Sequence, residues 1–135
     1  MTNNLEKPWM KTTLKIAGVY NILWGAWVVL FPLHFFELTG MELPNHISIW
    51  QGMGMVIGVY GLGYWWAGNA PLTHWPIVAV GFLGKIFGPV GFVFNYLQDL
   101  IPVEFGYTML TNDLIWWLPF ILILKASRKH HLSHQ

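Results

Sequence analysis

Four long apolar stretches follow one another along the chain, separated by short segments rich in polar residues, proline and glycine. They cover approximately residues 12–33, 47–67, 76–97 and 106–125. Each approaches the ~20 apolar residues that an α-helix needs to cross a hydrocarbon core of ~30 Å. Because backbone polar groups in lipid must be paired within their own segment, each stretch predicts a transmembrane helix. The predicted fold is all-α, a polytopic membrane protein whose single domain, residues 1–135, is a four-transmembrane-helix bundle.

The composition agrees with a membrane protein. Hydrophobic residues make up 55% of the chain and charged residues 10%, against roughly 25% charged in soluble domains. A soluble domain this apolar could not cover its surface with polar groups. The absence of cysteine excludes disulfides, thiolate metal sites and thiol redox chemistry. The expected partners are therefore the lipid bilayer and hydrophobic molecules within it, and not nucleic acid.

The distribution of charge predicts the topology. Six of the seven basic residues lie before or at the first predicted helix, or at or after the last: Lys7, Lys11, Lys15, Lys125, Arg128 and Lys129. The first and third loops carry only acidic charges: Glu37, Glu42, Asp99 and Glu104. By the positive-inside rule, both termini lie in the cytoplasm, and an even number of spans agrees with this. The expected location is the bacterial inner membrane, as a multi-pass protein.

Two charged residues, Lys85 and Asp113, remain within the predicted spans. A charge at the bilayer centre costs at least ~2.5–3.5 kcal/mol, and such residues usually face the bundle interior and pair with each other. A rise of ~1.5 Å per residue puts Lys85 and Asn21 roughly 13 Å, and Asp113 roughly 18 Å, from the cytoplasmic ends. The three side chains therefore share one layer near the midplane, and we predict that Lys85 pairs with Asp113.

The third predicted helix shows how this layer could be assembled. Glycines recur on one of its faces at three- and four-residue spacing: Gly81, Gly84, Gly88 and Gly91. Such faces let helices approach closely in lipid. Pro89 removes the backbone hydrogen bond to the carbonyl of Lys85, and Pro119 in the fourth helix does the same for Ile115.

The leading functional hypothesis is a hydrophobic small molecule or lipid bound in a midplane pocket. The protein would act as a carrier or as a subunit of a membrane assembly, either a homo-oligomer or a complex with another membrane partner. Tryptophan normally lies in the interfacial belts of membrane proteins, but three of them fall near the midplane here. The predicted ligand-binding residues are Lys85, Asp113, Asn21, Asn112, Trp24, Trp116 and Trp117.

Two alternatives stay open. In the first, a membrane enzyme acts on an isoprenoid or acyl substrate, with Asp113 or Glu104 as general acid and Lys85 holding a negative partner. In the second, the protein is a purely structural subunit, and Lys85 and Asp113 only fix the helix register. The sequence leaves any cofactor unknown. His34 and His46 fall near the outer surface and are the weak candidates for a metal site, although no spacing enforces one.

The stretch HWPIVAVGFLGKIFGPVGF, followed by LTNDLIWWLPF, resembles a group of uncharacterised bacterial four-helix integral membrane proteins whose plan is broadly DoxX-like. The resemblance covers most of residues 16–125 and implies an inner-membrane protein. The segment IPVEFGYTMLTND is in addition similar to the P-x-E-E…TN segment of membrane lycopene cyclases. Pro102, Glu104, Thr111 and Asn112 match that segment in kind, while Phe105 replaces its second Glu.

Overall fold

The computed structural model describes residues 4–135 and shows helices joined by short turns, with no β-strand in that range. The helices are α1 (Pro8–Leu30), α2 (His34–Thr39), α3 (Ile47–Ala67) and α4 (Trp75–Tyr96). A final helical segment, Val103–Leu132, contains a 3-10 turn (Val103–Gly106), α5 (Tyr107–Met109), a π-helical turn (Leu110–Leu114) and α6 (Ile115–Leu132).

The helix boundaries differ from the predicted spans at both ends of the chain. α1 begins at Pro8, because proline suits a first helical turn, and it ends before the predicted residue 33. The short α2 was not predicted; it ends at Gly40, whose positive φ of 72° closes the helix. The basic C-terminal residues continue α6 through Leu132, and the His131 ring Nε2 lies 3.1 Å from the carbonyl oxygen of Leu72.

α1 and α3 run antiparallel and cross each other at glycines. A Cβ placed on Gly18 would lie 2.7 Å from the carbonyl oxygen of Gly61, and one on Gly25 would lie 2.9 Å from the backbone nitrogen of Gly58. Real side chains do not approach a backbone this closely. The absence of side chains at the crossing therefore allows the two backbones to touch, as in small-residue contacts between membrane helices.

α4 packs antiparallel against the final helical segment, and this second pair contacts α3 only sparsely. The predicted glycine face of α4 is only partly a packing face. Gly81 lies under the ring of Tyr64, and Gly88 lies against the carboxylate of Asp113. A Cβ on Gly84 or on Gly91 would meet nothing within 4 Å. The close helix contact predicted for this face is thus made between α1 and α3 instead.

The apolar interior consists of two clusters at opposite ends of the bundle. The cluster near the chain termini contains Leu14, Tyr64, Phe120 and Ile123 among its buried members. The cluster at the other end is built on Val28, Phe35, Phe36 and Trp50. Between the two clusters, in the middle of the bundle, lies an open cavity.

Within residues 4–135, three helical segments are long and apolar enough to cross a membrane: Pro8–Leu30, Trp75–Tyr96 and Val103–Leu132. α3, with 21 residues, has the length but is not among them, because its five glycines, its Gln51 and its tyrosine and tryptophan residues lower its hydropathy. The surface of the bundle carries many exposed large apolar side chains, which is typical of a protein that faces lipid.

Candidate functional site

The cavity in the middle of the bundle has a volume of about 420 Å³, within the ~300–1,000 Å³ of ordinary small-molecule sites. Four parts of the chain contribute to its wall: α1, α3, α4 and the final helical segment. Its lining includes Asn21, Trp24, Trp50, Met53, Val56, Ile57, Tyr60, Tyr64, Gly81, Gly84, Lys85, Gly88, Phe105, Thr108, Met109, Asn112 and Asp113.

Lys85 lies near the middle of α4, and only 4% of its surface is exposed. Its Nζ donates a hydrogen bond to the backbone carbonyl oxygen of Asn112 at 2.6 Å. Three aromatic rings surround the ammonium, with their centroids 5.4 Å (Tyr64), 5.7 Å (Phe120) and 5.8 Å (Trp116) from Nζ. Cation–π attraction and one charged hydrogen bond therefore stabilise a cation that is removed from water.

The carbonyl that receives Lys85 belongs to the π-helical turn Leu110–Leu114. In this turn the N–H of Ile115 donates to the carbonyl of Leu110, five residues earlier. Such turns are rare and are found frequently at functional sites. The Tyr20 hydroxyl on α1 donates to the side-chain oxygen of Asn112 and is also hydrogen-bonded to Thr111 Oγ1 at 2.9 Å, so α1 holds this turn in place.

The carbonyl freed by Pro89 has a defined partner. The indole Nε1–H of Trp117 donates to the carbonyl oxygen of Lys85 at 2.8 Å. Trp116 makes an equivalent bond to the carbonyl of Thr111 at 2.9 Å. Both indoles thus pair backbone groups that the proline and the π turn leave outside the regular helical pattern, as a low-dielectric interior requires.

The predicted ion pair between Lys85 and Asp113 is not formed. Within residues 4–135, an ion pair closer than 4.0 Å is formed by Lys11 and Glu6, with 3.2 Å between Lys11 Nζ and Glu6 Oε1. The Asp113 carboxylate instead lies over Gly88, where an added Cβ would be 2.8 Å from Oδ2. Within the same residues, no hydrogen-bond donor reaches this carboxylate. Lys85 and Asp113 nevertheless line the same cavity.

Five of the seven predicted ligand-binding residues line the cavity: Lys85, Asp113, Asn21, Asn112 and Trp24. Trp116 and Trp117 do not line it: the indole of Trp116 is bonded within its own helical segment, to the carbonyl of Thr111, and that of Trp117 to the carbonyl of Lys85 on α4. Asn21 makes no hydrogen bond to Lys85; its Nδ2 donates to the carbonyl of Ile57 at 3.3 Å, across the α1–α3 crossing.

Two tyrosines of α3, Tyr60 and Tyr64, also line the cavity and were not among the predicted site residues. Tyr64 is 2% exposed and its ring covers Gly81, whereas Tyr60 is 37% exposed. A signal for Tyr64 was present in principle, since a large aromatic side chain needs a glycine opposite it in a tightly packed helix pair. The two could not be matched without knowing which faces of α3 and α4 meet.

The cavity opens on the side of the bundle, between α3 and α4. Two of its lining residues on α3, Met53 and Val56, are 40% and 56% exposed. On the facing side, Gly84 of α4 has no atom within 4 Å of an added Cβ. We call this opening, formed by Met53, Val56, Tyr60 and Gly84, the lateral portal.

Glu104 does not line this cavity. It belongs to a neighbouring groove of about 1030 Å³ at the end of the bundle that carries α2, together with Glu42 and Asp99. The groove and the cavity have Trp50, Met53 and Phe105 as common walls. Glu104 and Asp113 therefore line two adjoining cavities rather than one.

The two histidines proposed as weak metal candidates are both exposed. His34 Nδ1 accepts a hydrogen bond from the indole of Trp27 at 2.8 Å, so that nitrogen is already used. Across residues 4–135, no group of three or more His, Cys, Asp or Glu side chains could hold a metal ion.

Comparison with known proteins gives no relative from which a role for this cavity can be taken. No protein-family model, no curated protein and no solved structure matches the chain.

Proposed function

We propose that the protein binds a hydrophobic small molecule or lipid in the central cavity, and that it does so as a carrier or as a subunit of a membrane assembly. The observation that carries this proposal is the cavity itself. It lies between two packed apolar clusters, it holds a buried lysine and a carboxylate that receives no hydrogen bond from the described residues 4–135, and its portal opens sideways. A bundle whose only role was structural would gain stability by filling this space, because empty volume in a core costs free energy.

The lateral portal supports an apolar ligand in particular. We propose that α3 is the fourth transmembrane helix, because it packs antiparallel along α1 through the glycine crossing and so lies at the same depth. At ~1.5 Å per residue its 21 residues also reach across the hydrocarbon core. The portal between α3 and α4 then faces lipid, and a molecule dissolved in the bilayer can enter without crossing water.

Gly84 and Gly91 of α4 both face open space, but only Gly84 lines the cavity. Native mass spectrometry of the mildly purified protein is expected to show a bound molecule of lipid-like mass. Gly84→Leu should remove it, because the new side chain fills the portal. The matched control, Gly91→Leu, should keep it.

Either of two results would contradict the proposal. The wild-type protein could carry no ligand after extraction with a mild detergent and after reconstitution into native lipids. Alternatively, Gly84→Leu and Gly91→Leu could retain the same amount of ligand, in which case the molecule binds elsewhere on the surface.

We further propose that both termini lie in the cytoplasm, since the six terminal basic residues and the acidic loops divide the charge between the two ends of the bundle. Cysteines introduced singly at Glu42 and Gln98 should react with a membrane-impermeant thiol reagent added to intact cells. A cysteine at Asn69, in the turn between α3 and α4, should react only after lysis. The chain contains no cysteine of its own, so the background is clean. Labelling of the Asn69 variant in intact cells would contradict this orientation and would place both termini on the outer side.

A second candidate function is acid–base catalysis on a bound isoprenoid or acyl chain, favoured by the Asp113 carboxylate, which has no donor among residues 4–135 and lines the cavity beside Lys85. The ligand recovered from the wild-type protein separates the two functions. Recovery of one unchanged compound from wild type and from Asp113→Asn supports binding alone. A second compound, present in wild type and missing from Asp113→Asn, supports turnover.

A further inference from the structure

The polar groups of the central cavity indicate which kind of head group its ligand carries. We infer that the ligand is an uncharged amphiphile with a hydroxyl head, such as a long-chain or isoprenoid alcohol, whose hydroxyl bridges Lys85 and Asp113. This inference rests on the proposed function, since it names the ligand class of the same site.

Several polar groups of the cavity wall have unused hydrogen-bonding capacity, among them the indole N–H groups of Trp24 and Trp50, which are buried and have no partner within residues 4–135. A lysine ammonium has three donors, and Lys85 uses one of them on the carbonyl of Asn112. The Asp113 carboxylate receives no hydrogen bond from residues 4–135, and in that range the Tyr64 hydroxyl likewise has no partner. Buried polar groups are almost always hydrogen-bonded in native proteins, so the pattern indicates that a ligand supplies the missing partners.

The charges of the wall select against an ionised head group. Lys85 and Asp113 together contribute no net charge to the cavity. A carboxylate ligand would pair with Lys85 and leave Asp113 beside a second negative charge. An ammonium ligand would pair with Asp113 and leave Lys85 beside a second positive charge. Each arrangement leaves one uncompensated charge in a low-dielectric interior, which is strongly unfavourable. A neutral head leaves the balance of charge unchanged.

The positions of Lys85 and Asp113 favour a head group that can both donate and accept a hydrogen bond. Lys85 Nζ and the Asp113 carboxylate oxygens are more than 4.0 Å apart, since they form no ion pair by that distance. One hydroxyl placed between them accepts from the ammonium and donates to the carboxylate. An ester or ketone oxygen would satisfy Lys85 only and would leave Asp113 without a donor. The tail of the alcohol then leads past Val56 and Gly84 into the lateral portal.

The test is a competition among three amphiphiles of equal chain length: hexadecanol, hexadecanoate and hexadecylamine. The protein, delipidated in detergent, is mixed with all three at equal concentration, and bound species are identified by native mass spectrometry. We expect hexadecanol to be retained about tenfold or more over each charged analogue, the factor that corresponds to one charged hydrogen bond. Tyr64→Phe, which removes only a hydroxyl, should fold normally and retain less hexadecanol.

The variant Asp113→Asn gives an independent prediction. It makes the cavity positive, so retention of hexadecanoate should rise above that of hexadecanol. Asp99→Asn, which removes a negative charge from the neighbouring groove and not from the cavity, should leave the preference for the alcohol unchanged and serves as the matched control.

The outcomes separate this inference from the proposal on which it rests. Equal retention of the three amphiphiles, or preference for a charged one by the wild-type protein, would overturn the assignment of a hydroxyl head while leaving a ligand site in place. A failure to retain any of them, combined with no endogenous ligand in wild type, would overturn the ligand site as well.

Discussion

Replacing Gly25 by alanine is expected to destabilise the protein by roughly 2 kcal/mol or more, the upper range for overpacking a close contact. The new methyl group would meet backbone atoms of Gly54 and Gly58 on α3. Backbone in the middle of a helix cannot move aside as a flexible side chain can, so the two helices must separate. Separation of α1 from α3 would also weaken the contacts of Val28 with Gly54 next to the crossing. Thermal unfolding in detergent measures the effect.

The control for this prediction is Gly91→Ala, at a helical glycine with nothing within 4 Å of an added Cβ. Alanine favours a helix over glycine by about 1 kcal/mol, so this variant should be unchanged or slightly more stable. Alanine gives the same gain in helix propensity at Gly25, so the predicted loss of stability for Gly25→Ala is the net value after this gain. Equal stability of Gly25→Ala and Gly91→Ala would show that α1 and α3 do not touch through glycine.

Replacing Lys85 by methionine is expected to cost about 3 kcal/mol, the lower end of the range for breaking a buried charge pair. The Asp113 carboxylate would remain as an uncompensated charge in the middle of the bundle, although the two groups are not in direct contact. The double variant Lys85→Met/Asp113→Asn should recover part of the loss. It should not recover all of it, because the carbonyl of Asn112 has lost its donor in both variants.

A double-mutant cycle on thermal stability measures this coupling. Asp113→Asn alone should cost less than Lys85→Met, because Lys85 keeps the Asn112 carbonyl and its three aromatic neighbours. Lys125→Met, at an exposed lysine in the C-terminal half of α6, is the control and should change stability by no more than about 0.5 kcal/mol. Strictly additive effects of the two cavity substitutions would indicate that their charges do not interact.

The central layer of polar residues could be predicted from the sequence because charge is so scarce in this chain. Once the terminal and loop charges were assigned, Lys85 and Asp113 remained, and helical rise placed Asn21 at the same depth. The helix positions followed in the same way from apolar length, to within a few residues for α3 and α4. Both arguments use only one-dimensional information, namely hydropathy and distance along a helix.

The pairing within that layer could not be predicted, because it depends on rotation about the helix axes. The sequence offered Asp113 as the obvious partner of Lys85, whereas the structure gives the backbone carbonyl of Asn112. Nothing in the sequence LTNDL announces a π-helical turn. For the same reason the glycines of α4 were expected to pack closely, when the close contact is made by Gly18 and Gly25 of α1 with α3.

The π-helical turn also sets the rotational phase between the two halves of the final helical segment. Each residue of an α-helix advances by about 100° around the axis, since there are 3.6 residues per turn. Deleting Leu114, which does not line the cavity, would restore a regular helix and rotate everything before it by about that angle relative to α6. Thr108 and Phe105 would then turn away from α4, while Phe120 and Trp116 kept their places. The chain can therefore lose the cavity through a change of length, with every side chain of its wall still present.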